Sequence, residues 1–222
     1  MTVLYEDNHL LIINKAAGEI VQGDKTGDCP LVESLKVYLK EKYDKPGNVF
    51  LGLVHRLDRP VSGIVVFAKT SKALTRMNEL FRKDEVRKIY HAIVEASPAR
   101  PEADLVHFLK KNEKQNKSYP VGSQVVGAKR AELSYRTLAH SDRYTLLEVT
   151  LKTGRHHQIR AQLSANGTII KGDLKYGARR SNADGSISLH AYSIEFVHPV
   201  SKEKVRIIAP YPDTEGLWKH FK

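Results

Sequence analysis

The sequence predicts an α+β protein built around a mixed, largely antiparallel sheet flanked by helices. Short apolar runs bounded by turn residues far outnumber helical stripes, and the two kinds of element do not alternate strictly. No repeat, low-complexity tract or long linker interrupts the 222 residues. That length suffices for a real core, and a single domain over 1–222 is expected.

Each element has a local reason. Val3-Leu4-Tyr5 and Leu10 to Ile13 read as two strands across an Asp7-Asn8 turn, and Ala17-Gly18 punctuates the chain after them. A loop with Gly23, Gly27 and Pro30 leads into a helix near 31–43, whose Leu31, Leu35, Tyr38 and Leu39 share one face. The unbroken run Ile64-Val65-Val66-Phe67-Ala68 is a buried strand. Thr70 or Ser71 then caps a helix with Leu74, Met77 and Phe81 in one stripe. Strands are expected at 87–95, 131–138 and 143–151, a short helix at 157–165, and closing strands at 188–197 and 203–209. The polar stretch 110–119, with Lys110, Lys111, Lys114 and Lys117, reads either as a solvated hairpin tip or as a basic contact surface.

Composition narrows the function classes. No apolar run approaches the roughly 18–20 residues a membrane helix needs, and the first residues lack the basic start and apolar core of a signal peptide. A cytoplasmic protein with no membrane partner is expected. The one cysteine, Cys29, reads as a quiet free thiol. Lys and Arg number 36 against 25 Asp and Glu, a net charge of +11. Such an excess favours a polyanionic partner, nucleic acid first.

Three clusters carry candidate chemistry. In His55-Arg56-Leu57-Asp58-Arg59-Pro60-Val61-Ser62-Gly63 one carboxylate stands between two arginines just before the buried strand. It reads as a catalytic carboxylate held ionised, or as a surface ion-pair cluster of small energetic worth. In Thr153-Gly154-Arg155-His156-His157-Gln158-Ile159-Arg160, a helix starting after Gly154 buries Ile159 and Leu163 and sets His156 beside Arg160 at i, i+4. Arg160 is then placed to hold a carboxylate in a two-pronged pair, or is solvated, as is Arg155. Neighbouring histidines on a helix diverge and no other ligand lies at metal spacing, so no metal is expected. In the strand from Arg87, alternation puts Lys88, Tyr90 and Ala92 on one face and Ile89, His91 and Ile93 on the other. Tyr90 is either a stacking platform for a base or a half-buried packing residue.

Taken in order, Asn14-Lys15-Ala16-Ala17-Gly18, His55-Arg56-Leu57-Asp58 with Ser62-Gly63, Lys88-Ile89-Tyr90, Gly154 to Arg160, Gly172-Asp173-Leu174-Lys175-Tyr176-Gly177 and Leu189-His190-Ala191 resemble the motifs of the RluA family of RNA pseudouridine synthases. The resemblance covers nearly the whole chain. It implies the pseudouridine synthase fold with a central active-site cleft, and isomerisation of uridine to pseudouridine in ribosomal or transfer RNA by base flipping. A monomer acting on an RNA stem-loop is expected. It further implies that Asp58 is the essential catalytic residue, that Arg56 helps displace the target uridine and that Tyr90 is catalytic too, stacking on the uracil or assisting proton removal. By the same resemblance Arg160, rather than Arg155, pairs with the catalytic carboxylate. Lys88, Arg155 and His157 are expected to bind substrate, and no cofactor is needed. The family usually has proline at Ala16 and more often threonine at Val61. Many members carry an S4 RNA-binding domain. This chain opens at once on the strand at Val3, so none is expected in it.

Two other readings compete. A noncatalytic RNA-binding module or RNA chaperone shares the charge and Tyr90 but has no need of a carboxylate between arginines. A hydrolase pairs Asp58 with His55 or His157 and acts without RNA.

Overall fold

The fold was read from a computed structural model, which describes residues 2–23, 27–212 and 216–221. Two compact units emerge: Met1–Val86 with Ser193–Pro210, and Arg87–Tyr192 with Tyr211–Lys222.

In the first unit β1 (Thr2–Glu6) and β2 (Leu10–Lys15) form the expected hairpin. Asp7 makes the turn, its Oδ1 accepting the amides of His9 and Leu10, both at 2.7 Å. β2 pairs antiparallel with β4 (Ser62–Ala68), from Leu10 opposite Ala68 to Lys15 opposite Gly63. All seven residues of β4 are buried, which explains the unbroken apolar run. The two-residue β3 (Gly52–Leu53) pairs with the same strand. Helix α1 (Leu31–Lys42) buries Leu31, Leu35 and Leu39. Helix α2 (Ser71–Arg82) is capped by Thr70, whose hydroxyl accepts the Ala73 amide at 3.1 Å. α2 approaches β3 so closely that a Cβ on Gly52 would lie 2.6 Å from a Leu74 methyl. A hairpin of β10 (Leu189–Val197) and β11 (Lys204–Ile208), with Ser193 opposite Ile208, adds to this unit; residues 189–192 of β10 belong to the second.

The second unit contains five antiparallel strands in the order β5 (Arg87–Val94), β9 (Thr145–Leu151), β8 (Lys129–His140), β6 (Glu102–Asn112), β7 (Lys117–Val121). The last two were not expected as strands, and the polar stretch is their hairpin, with residues 113–116 at the tip. Helix α3 (Gln158–Ala165) packs on this sheet through Ala161, which meets Leu109, Ala131 and Tyr176. The buried Gln162 side-chain NH2 donates to the carbonyls of Leu105 and Ala131, satisfying donors that burial would otherwise penalise. A 3-10 turn (Leu174–Tyr176) follows, and the short α4 (Gly216–Lys219) seats Trp218 against Ile93 and Leu146.

Candidate functional site

In the first unit the candidate site is the turn that leads into β4. Leu57 is buried and anchors it, while Arg56 is exposed and Asp58 half-buried beside it. The turn is closed by main-chain atoms: the Val61 amide donates to the Asp58 carbonyl at 3.0 Å, and the Gly18 amide to the Arg59 carbonyl at 2.8 Å. Beneath lies Lys15, 1% exposed, whose ammonium donates to the carbonyls of Ala16 at 2.8 Å and Arg59 at 3.1 Å. Burial pushes the Lys15 pKa down to about 8, against the pull of Glu19 and Asp58. Opposite Lys15 in the β2–β4 ladder, Gly63 has φ +111°, a backbone setting that suits glycine. Arg59 pairs with Asp28 at 2.8 Å. His55 is a packing residue: its Nε2 accepts the Val66 amide at 3.2 Å and its ring stacks on Phe81.

In the second unit Lys88 and Tyr90 are half-buried and lie opposite Leu151 and Val149 of β9. The other face of β5 is covered: His91 stacks on Tyr192 with centroids 3.9 Å apart, and its Nδ1 hydrogen-bonds the Tyr211 hydroxyl at 2.5 Å. Burial lowers the His91 pKa to about 4, against the attraction of Glu148. Alternation therefore leaves Lys88 and Tyr90 on the face away from this aromatic cover.

The histidine-arginine segment differs from expectation. Helix α3 begins at Gln158, because His157 takes a left-handed conformation at φ 53°. His156 thus lies outside the helix and does not share a face with Arg160. Its Nδ1 meets the Ser118 hydroxyl at 2.9 Å, and its Nε2 the Asn116 side-chain oxygen at 3.1 Å. Nor do the two histidines diverge, since their rings stack with centroids 3.8 Å apart. It is His157 that meets Arg160, Nε2 to Nη1 at 3.2 Å, while its Nδ1 meets the Tyr176 hydroxyl at 3.0 Å. Expected to touch substrate, His157 is buried with both ring nitrogens engaged. Arg160 is buried too, and grips the buried Asp173 in two parallel bonds: Nε to Oδ2 at 2.7 Å and Nη2 to Oδ1 at 2.8 Å. Its guanidinium also lies 5.1 Å from the Tyr176 ring centroid. Arg155 is exposed, its Nε donating to the Arg130 carbonyl at 3.0 Å. Gln158 staples this loop, its side-chain oxygen accepting from Thr153 Oγ1 and the Arg155 amide and its amide donating to the Glu132 carbonyl.

Sequence reasoning assigned no role to Lys15, Asp173 or Tyr176. All three lay in motifs quoted for the resemblance, and that was the signal available.

The model of a protein family described as RNA pseudouridylate synthase matches residues 9–165, a span holding Asp58, Tyr90 and Arg160. The chain belongs to that family. Curated relatives include ribosomal large subunit pseudouridine synthase C of Vibrio cholerae, 36% identical over 94% of this chain and 65% of its own length. The uncharacterized RNA pseudouridine synthase YhcT of Bacillus subtilis is 32% identical over 100% of this chain and 72% of its own. The chain spans 65–66% of the length of the first curated relatives it matches. Among solved structures, human RNA pseudouridylate synthase domain containing 4 superposes with a TM-score of 0.79 at 24% identity, over 96% of this chain and 89% of that one. At that identity the likeness shows the pseudouridine synthase fold, as the sequence predicts. No helix among the described residues is long and apolar enough to cross a membrane.

Proposed function

We propose that this chain isomerises uridine to pseudouridine in RNA, with Asp58 as the catalytic carboxylate. The observation that carries this reading is the match over residues 9–165 to a family described by that activity, with Asp58 on a turn fixed by main-chain bonds. The reaction breaks the bond from uracil N1 to the ribose, turns the ring and joins the ribose to C5. The proton lost from C5 is balanced by one gained at N1, so no cofactor or redox partner is consumed. A carboxylate contributes as nucleophile at the sugar or as base, and either role needs its ionised form.

The other residues take supporting roles. Arg56, exposed beside Asp58, helps displace the target nucleotide, and Tyr90 offers its ring to the freed uracil. Arg160 contributes a guanidinium to the reaction and is oriented by Asp173 and His157, so His157 acts through Arg160 as a positioning residue. Lys88 and Arg155 neutralise backbone phosphates. Ribosomal RNA is favoured over transfer RNA as substrate, because several curated relatives bear the name ribosomal large subunit pseudouridine synthase C.

Asp58→Asn tests the reading while keeping the shape of the side chain. Pseudouridine formation in large-subunit ribosomal RNA is expected to fall by at least about 10²-fold, with RNA binding and melting temperature unchanged. Modification that survives the substitution would refute the catalytic assignment and favour a noncatalytic RNA-binding module.

A further inference from the structure

The second unit contains a cavity of about 760 Å³, lined by Arg143, Lys171, Arg179 and Arg180 with Tyr144 and one carboxylate, Glu95. Four cations therefore surround a single acid. Arg143, Arg179 and Arg180 are exposed and make no ion pair among the described residues. Arg130 and Arg136 of the same unit behave otherwise, holding Glu132 at 2.9 Å and Glu148 at 2.7 Å. Holding these three arginines close together without an ion pair of their own costs stability, and a bound anion removes that cost.

The loop that carries Lys171, Arg179 and Arg180 is fixed, and Arg143 faces the same cavity from the turn between β8 and β9. Buried Asn182 accepts from the Lys171 ammonium at 2.5 Å and donates to the hydroxyls of Ser186 at 3.1 Å and Ser188 at 3.2 Å. Gly172 takes φ +87°, and a Cβ there would fall 2.7 Å from the Asn182 oxygen. So Arg179 and Arg180 project from a set frame, which lowers the ordering cost of binding. Planar guanidinium forks match phosphate oxygens, and a space of this size with several cations suits consecutive phosphates better than one small anion. Glu95 stands five residues beyond Tyr90, roughly 16 Å at the rise of a strand.

We propose that this cavity is a second RNA-backbone site, gripping phosphates of the substrate several nucleotides away from the target uridine. It rests on the reading that the chain acts on RNA. The grip supplies affinity and register without touching the reacting base.

The test compares the wild type with R143A/R179A/R180A and with K40A/K45A/K72A, which removes three exposed charges from the first unit. The probe is a fluorescein-labelled hairpin from large-subunit ribosomal RNA, titrated across a salt series. The slope of log K against log salt is expected to fall by about 2 to 3 in the arginine triple, at about 0.7–0.9 per phosphate contact, and by less than about 1 in the lysine triple. On the same RNA, KM for pseudouridine formation is expected to rise at least about tenfold in the arginine triple with kcat nearly unchanged. Equal slopes in the two triples would overturn the proposal. So would inorganic phosphate that raises the melting temperature of the wild type but not of the arginine triple while their RNA slopes agree, since that assigns the cavity to a small anion. The slopes judge the cavity, whereas loss of product in Asp58→Asn with the wild-type slope retained judges the reaction.

Discussion

In the first unit the buried ammonium of Lys15 is held by main-chain carbonyl oxygens, whereas in the second the buried guanidinium of Arg160 is held by a carboxylate. Lysine can shed its proton when burial is costly, and Lys15 is accordingly pushed down to about 8. Arginine cannot, so its charge is met by Asp173 in a two-bond pair with both partners buried. The carboxylate turn is therefore supported by a group whose charge answers to pH. The arginine helix rests on a buried pair of fixed geometry.

The comparison breaks most visibly at Asp173. Asp173→Ala removes the two-bond partner of the buried guanidinium and is expected to cost about 3–5 kcal/mol, measured by urea denaturation. A loss below about 1 kcal/mol would mean the pair contributes no more than an exposed one. Lys15 sharpens the other side. Folded, it releases its proton near pH 8, while unfolded it keeps it to about 10.5, so between those values the unfolded chain binds more protons. Its contribution to stability is lowest below pH 8 and rises with pH through that window. Relative to Lys15→Met, the wild type should gain about 3 kcal/mol from pH 8 to 10.5; a pH-independent difference would show that Lys15 is charged throughout. The smallest effect belongs to Arg59, whose side chain is 47% exposed where it meets Asp28. Arg59→Ala should change stability by less than about 0.5 kcal/mol, checked by the same denaturation.

Elements with dense apolar patterning were legible in the sequence. The run 64–68, the stripe Leu31, Leu35, Leu39 and the Thr70 cap all lie where the pattern puts them. The strands β6 and β7 were not, for a physical reason: β6 is mostly exposed or half-exposed along its length. β7 ends the strand order of its unit and contains Lys117 and Pro120, residues that protect edges and mask strand character. The helix expected at 157–165 lies within one residue of α3, but His156 is not part of it, because nothing in His156-His157 announces a left-handed residue, and a non-glycine there is uncommon. Asp58 was legible because its neighbours are distinctive. Asp173 was visible only as a motif residue, since its partner lies 13 positions away and no local pattern links them.

The turn bearing Asp58 is closed by the Val61 and Gly18 amides and the Lys15 ammonium, all meeting carbonyl oxygens. Those bonds depend on backbone course and not on which side chains stand at 59 and 61. The carboxylate's position therefore survives replacement of the side chains at 59 and 61, provided the new residues keep the same backbone course.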